Sequence, residues 1–229
     1  MTPKVSVILT SYNKKRYLRQ AICSVLAQTF EDFELLIVDD HSTDGSYELS
    51  SAFLFDRCYL IKTDLRRHGQ EREINRYAHN INLAFSKSKG EYITYLCDDD
   101  IYLPWRLEVF ARALDNDPSI PVVYGMQVIL RKGVGNAEVR ETVGVTTNAA
   151  QKIDHSSVMH RRECFEAVSG WDEAAPMRYG DAYFWTRLNS AGYAFYPINS
   201  IMDVHRYNDL SVTHKIDHPE NVDAASIRA

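Results

Sequence analysis

The sequence predicts an α/β fold, with a mostly parallel sheet flanked by helices and an irregular annex in its second half. Three observations carry this. Over the first hundred residues short apolar runs alternate with stretches of helical periodicity, the pattern of βαβ units on a parallel sheet. Two of the runs end in acidic clusters, Asp39-Asp40 and Asp98-Asp99-Asp100. Past Leu114 the alternation gives way to shorter segments and hairpin-like turns.

The elements follow in order. Val5 to Thr10 is a nearly continuous apolar run and reads as a buried strand. Lys14 to Ala27 carries Tyr17, Leu18, Ala21, Ile22, Val25 and Leu26 on one face of a helix. Phe33 to Val38 is a second buried strand, followed by a Ser42–Ser46 turn from which a further helix starts. Cys58 to Ile61 is a weaker strand, and Arg72 to Ser86 a helix with Ile74, Tyr77, Ala78, Ile81, Leu83 and Phe85 inward. Glu91 to Cys97 is the strand that leads into the three aspartates, and a helical pattern begins at Trp105.

In the second half, Val122 to Leu130 reads as a longer strand. Residues 132–136 form a turn, and Glu138 to Val145 pairs back. Ser157 to His160 is a short strand and Arg162 to Val168 a helix. Tyr179 to Ala191 is a helix closed by Gly192. The chain reads as one domain over 1–229, with a first part (1–125), an annex (126–217) and a polar tail (218–229).

A net charge of −5 argues against a general nucleic-acid binder, which carries a basic surplus. Cys23, Cys58, Cys97 and Cys164 are scattered and form no CxxC pair, so neither a zinc site nor a disulfide framework is expected. No signal peptide opens the sequence, and no apolar run approaches the ~20 residues of a membrane span. A cytoplasmic protein is expected, with peripheral membrane contact left open.

Ligands on open parallel sheets bind outside the carboxyl ends of the strands, where both acidic clusters fall. Three adjacent carboxylates repel one another and resist desolvation unless a cation joins them. Hard oxygen ligands suit Mg²⁺ or Mn²⁺, ions that commonly bridge to phosphates. The turn after the first strand, Thr10-Ser11-Tyr12-Asn13, has no glycine, so the dinucleotide fingerprint is absent, as is a Walker A motif. A nucleotide bound here needs a metal to neutralise its phosphates.

Val5 to Asn13, Ser24 to Phe30 and Leu36 to Asp44 together resemble the opening of a family 2 glycosyltransferase. The three aspartates followed by Pro104-Trp105-Arg106-Leu107 are similar to that family's D-x-D region. Gly170 to Glu173 and Gly180 to Leu188 resemble its acceptor-side motif. Ile153 to Arg161 is similar to the spore-coat polysaccharide branch of the family. The resemblance covers about nine-tenths of the chain.

It implies a GT-A fold, a nucleoside-diphosphate sugar donor, a sugar or glycoconjugate acceptor, a divalent metal and inversion in a single displacement. Carried over residue by residue, Thr10 and Tyr12 line the base and ribose, and Asp40 accepts a hydrogen bond from uracil or thymine N3–H. Arg72 and Arg76 reach the base or diphosphate. Asp98 lies against ribose and metal, and Asp99 ligates the metal, with Asp100 beside it. Asp181 is the general base. His214 is the expected late metal ligand, with His205 behind it, and Trp171 and Asp172 are the expected acceptor contacts.

The register set by Pro104 puts Cys97 at the first Asp position of D-x-D and Asp99 at the metal position. The plain D-x-D register would instead pair Asp98 with Asp100. Gly180 stands where many relatives have Glu before the base. For Trp171 and Trp185, core packing stands beside sugar stacking, and for Asp172 a cap stands beside acceptor binding. Three rival readings remain in view: a nucleotidyltransferase making nucleotide sugars, a receiver-like signalling domain using Asp39-Asp40, and a catalytically silent nucleotide-sugar binder.

Overall fold

The computed structural model describes residues 2–65, 75–131, 133, 135, 137–150, 152–176 and 180–208. Its first part is built on four parallel strands, β1 (Val5–Ser11), β2 (Phe33–Asp39), β3 (Cys58–Lys62) and β4 (Tyr92–Cys97), in the order β3-β2-β1-β4. Every residue of β1 and β2 is buried, as strands covered on both faces require. The pleat sorts them by period two. Val7, Leu9, Leu35 and Ile37 pack on one side, Ile8, Leu36 and Val38 on the other.

The first side is covered by α1 (Lys15–Leu26) and α4 (Arg106–Asn116), through Leu18, Ala21, Ile22 and Val25 of one and Leu107, Phe110, Ala111 and Leu114 of the other. α3 (Arg76–Lys87) and α6 (Gly180–Ser190) supply Ala78, Ile81, Ala84, Phe184, Trp185 and Leu188 to the second core. A short α2 (Ser46–Ser51) follows β2. The expected helix from Arg72 begins at Arg76 in the described residues. Asn75 has extended backbone, and its side chain accepts the Ala78 N–H, capping the first turn.

The annex continues the same sheet. β5 (Ile101–Tyr102), β6 (Val122–Arg131), β7 (Glu138–Arg140), β8 (Val158–Arg161) and β9 (Phe195–Tyr207) extend the path as β4-β8-β6-β9-β5, with β7 on β6. β8 runs antiparallel to both β4 and β6, so the parallel region stops at β4. A 3-10 turn (His155–Ser157) precedes β8, and α5 (Arg162–Ala167) follows it. Only Glu138–Arg140 of the expected 138–145 strand pairs back, and Val143 and Val145 stay exposed.

The 13-residue β9 was not foreseen. Its alternation is interrupted at Asn199 and Ser200, and its register against β6 shifts twice between Gly125 and Gln127. β5, with two residues, is too short to give a sequence signal. All four cysteines are free. No helix among the described residues is long and apolar enough to cross a membrane.

His160 sits fully buried between the sheet and α6. Its Nδ1 lies 2.7 Å from the Arg161 carbonyl, which can only accept, so Nδ1 carries the proton. Nε2, 2.7 Å from the Tyr95 hydroxyl, is then the acceptor. Burial pushes His160 down to about 4. The unfolded chain therefore binds a proton that the native one refuses between about pH 6.5 and 4. Stability from this group is complete above 6.5 and is lost as pH falls, by up to ~1.4 kcal/mol per pH unit. Denaturant midpoints across that window should fall in the wild type and flatten in His160→Gln.

Candidate active site

The loops after β1 and β2 are tied to each other. Asn13 Oδ1 accepts the Thr43 N–H at 2.7 Å, Ser42 Oγ accepts the Asn13 N–H at 3.0 Å, and Asp44 Oδ2 accepts the Lys15 N–H at 2.9 Å. Asn13 and His41 have φ of 50° and 58°, the left-handed region that non-glycine residues enter at a cost. Asp39 turns inward and takes the Ser42 N–H, while Asp40 is gripped by Arg76, whose Nε donates to Oδ2 at 2.9 Å and whose Nη2 donates to Oδ1. Asp40 and Arg76 are nearly buried, at 6% and 7% exposure. The fork fixes the carboxylate's orientation.

The three aspartates after β4 divide their work. Asp98 Oδ2 accepts the Tyr12 N–H at 2.9 Å, joining the β1 and β4 strand ends. Lys14 Nζ lies 3.2 Å from Asp98 Oδ1 and 2.8 Å from Asp99 Oδ2, and Asn208 Nδ2 donates to Asp99 at 2.9 Å. Burial pushes Asp98 up to about 6, with Lys14 opposing; burial acts the same way on Asp99, but the charge and hydrogen bond of Lys14, with Asn208 and His205, together outweigh it and hold the carboxyl down. Burial disfavours the Lys14 ammonium, but Asp98 and Asp99 overcome it and raise its pKa. Asp100 faces the other way. Ser156 Oγ, the Arg206 N–H and His205 Nδ1 lie 3.0, 2.9 and 3.1 Å from its oxygens.

Do these residues suit a divalent cation? A protein ammonium seated between Asp98 and Asp99 marks where positive charge is needed, and carboxylate oxygens are the donors that Mn²⁺ or Mg²⁺ takes. The donor set fits. His205, the second choice among the histidines, is the one beside Asp100; its pKa is pushed up to about 10, because Asp100 overcomes the effect of burial. His214 lies outside the described residues, as does Arg72.

Asp181 stands in the first turn of α6. Its Oδ1 accepts the Ala182 N–H at 2.8 Å, and its Oδ2 lies 4.0 Å from His155 Nδ1. Burial raises its pKa. Ligand-type atoms of Cys97, Asp99 and Asp100 lie within 4.8 Å of one another; so do those of Asp100, Asp154 and His205, and those of Asp154, His155 and Asp181. A chain of buried and half-buried polar side chains therefore runs from Asp99 through Asp100 and Asp154 to Asp181.

One expected acceptor contact needs correction. Trp171 is 2% exposed, with Phe184 stacked on its ring at 4.8 Å and Tyr77, Tyr95 and Trp185 edge-on around it. It is a core residue and offers no face to a sugar. Asp172 is partly exposed, and its Oδ1 takes the Ala174 N–H at 2.9 Å within a turn, so it caps no helix. Trp185 is also fully buried. Thr10 lies at the carboxyl end of β1, as expected, and is 9% exposed.

Sequence reasoning gave no role to Lys14, Asp154, His155, Arg206 and Asn208. Lys14, directly after the Thr10–Asn13 turn, carried a usable signal as a basic residue at a strand's carboxyl end in an acidic site, and Asp154 and His155 lay within the Ile153–Arg161 motif.

A parallel sheet that gathers carboxylates at its strand ends and continues into a mixed annex is the architecture of the GT-A glycosyltransferases. The chain belongs to glycosyl transferase family 2, whose model matches residues 6–172. Among individual relatives it is similar to protein CgeD of Bacillus subtilis, 37% identical over 213 residues, 89% of this chain and 50% of that one. EpsE of the same organism is 29% identical over 228 residues, 94% of this chain and 79% of EpsE.

Among solved structures, S. aureus TarS 1-349 in complex with UDP-GlcNAc superposes with a TM-score of 0.72 at 16% identity, over 91% of this chain and 60% of that one. The mannosyltransferase PcManGT from Pyrobaculum calidifontis, in complex with GDP-Man and Mn²⁺, gives 0.64 at 17% identity, over 92% and 59%. This chain thus spans about half the length of CgeD and three-fifths of TarS 1-349.

Proposed function

We propose that this chain transfers a sugar, with inversion, from a uridine or thymidine diphosphate sugar to an acceptor hydroxyl in polysaccharide or glycoconjugate synthesis. The observation that carries the reading is the linked chain of polar side chains from the Lys14-neutralised Asp99 to Asp181. It joins a place for a diphosphate and its cation to a carboxylate able to take a proton.

Asp40, oriented by Arg76, accepts the base N3–H, and Thr10 and Tyr12 line the nucleoside. Asp98 stiffens the pocket through the Tyr12 backbone. Asp99, with Asp100 and His205 behind it, holds Mn²⁺ or Mg²⁺, which when bound offsets the charge of the departing nucleoside diphosphate. Asp181 removes the proton of the attacking hydroxyl on the face opposite the leaving group. One base suffices, because inversion needs no covalent intermediate. Holding the two substrates in line supplies much of the remaining acceleration. TarS holds a UDP-sugar on this fold, which supports a uridine nucleotide as the first probe.

The test is calorimetric titration with UDP, dTDP and GDP, with and without Mn²⁺, on the wild type and Asp99→Ala. Metal-dependent binding of UDP or dTDP is expected, weakened at least ~10-fold (about 1.4 kcal/mol) in the variant. A clear preference for GDP would remove the pyrimidine assignment. Failure of all three nucleotides would remove the donor site.

A further inference from the structure

We propose that His155 is a positioning residue for Asp181, an imidazole anchored on Cys97 that faces the base carboxylate and Asp154 together and keeps the base ionised. The inference rests on the reading of Asp181 as the general base.

The geometry is built from both sides of the ring. His155 Nδ1 lies 4.0 Å from Asp181 Oδ2 and 4.0 Å from Asp154 Oδ1, so it faces both carboxylates of a cluster whose ligand-type atoms lie within 4.8 Å of one another. Its Nε2 lies 3.2 Å from Cys97 Sγ. The Tyr77 ring meets it edge-on at 5.2 Å and the Trp171 ring at 6.2 Å, which leaves the imidazole little freedom to turn.

The backbone beneath it is held as well. Asp154 Oδ1 caps the Ser156 N–H at 2.9 Å, Ser157 Oγ donates to the Asp154 carbonyl at 2.8 Å, and the buried Arg106 donates to the Ser156 carbonyl at 2.5 Å. A surface histidine has no such framework.

The chemistry calls for such a group. Asp154 and Asp181 belong to one cluster, and like charges so close cannot both ionise cheaply when water is scarce. A base that spends its time protonated cannot accept the acceptor's proton. An N–H pointed at both carboxylates favours their ionised forms. Burial raises Asp181 while the His155 charge opposes it, and at Asp154 the His155 charge leads the terms that overcome burial. The other charges facing this group are known. Arg140 lies 3.7 Å from Asp154 Oδ2, and His205 also acts on Asp154. Asp181 divides its own oxygens accordingly: Oδ1 is tied to the Ala182 N–H, and Oδ2 faces the imidazole.

Two measurements on the full chain test this. In carboxyl ¹³C spectra over pH, with Asp181→Asn as the assignment control, the Asp181 midpoint should rise by about half a unit or more in His155→Gln, because a group that favoured the carboxylate has gone. An Asp181 midpoint indifferent to His155→Gln overturns the proposal, whatever the donor.

For turnover, UDP or dTDP release from a panel of UDP-GlcNAc, UDP-glucose and dTDP-glucose is followed against pH. In His155→Gln the acid limb of kcat should move up by about one unit with the donor KM unchanged, a roughly tenfold loss below that limb. An unmoved limb also overturns the proposal. Should Asp181→Asn keep full turnover while the Asp181 midpoint still shifts in His155→Gln, the assignment of the base fails instead.

Discussion

Asp181→Asn is expected to lower turnover by about 10²–10⁴-fold, some 3–5 kcal/mol of barrier, which is the usual worth of a positioned general base. Asparagine keeps the size of the side chain and an oxygen to accept the Ala182 N–H, so the start of α6 should survive. What it cannot do is take a proton. Nucleotide affinity should stay within about twofold of the wild type, since the role proposed for Asp181 is on the acceptor and not on the donor. Paired calorimetry and nucleotide-release assays check both halves. A variant that loses nucleotide binding as well would mean that Asp181 supports the donor pocket. One that turns over normally would return the base role to a neighbour such as Asp154.

Arg106→Leu should produce the largest loss of stability, about 3–5 kcal/mol, by leaving a buried charge uncompensated. Arg106 and Asp203 are both fully buried, with Nε 3.6 Å from Oδ2. Burial pushes Asp203 up to about 7, and Arg106 and Gln127 work against that rise. The guanidinium also donates to Thr94 Oγ1 at 2.9 Å and to the Ser156 and Val158 carbonyls, and it stacks on Tyr102 at 3.8 Å. Leucine replaces none of these.

Chemical denaturation of Arg106→Leu, Asp203→Leu and the double variant separates the terms. The double variant should regain part of the loss, because removing both charges costs less than stranding one. Arg106 also braces the turn that carries Asp154 and His155, so an activity defect beyond the unfolded fraction is expected below the melting transition. Equal destabilisation of the double and single variants would mean that packing, not charge, makes Arg106 necessary.

Much of the fold is legible from local pattern. β1 and β2 are buried on both faces and read as unbroken apolar runs; α1 shows its inner face as Leu18, Ala21, Ile22 and Val25. The acidic clusters stood out because a sheet strand rarely ends in three carboxylates without a purpose. β9 was hidden because a strand that bulges, and pairs in parallel with a partner some 70 residues earlier, loses its period of two. Trp171 looked equally like a sugar platform and a core residue, because an aromatic side chain serves either and only its neighbours decide.

From composition and periodicity alone came the α/β class, the mostly parallel character of the sheet and the acidic strand ends; the motifs added the family and the aspartates at issue. These are local properties, written in spans of a few residues. Tertiary structure decided which distant groups meet. With β4 lying between β1 and β8, and β9 returning beside β6 and β5, Lys14, Asp99, His155, Asp181 and His205 come together from segments up to about 190 residues apart. No periodicity records such an encounter. It follows from strand order, and strand order is set by which apolar faces the whole chain can bury at once.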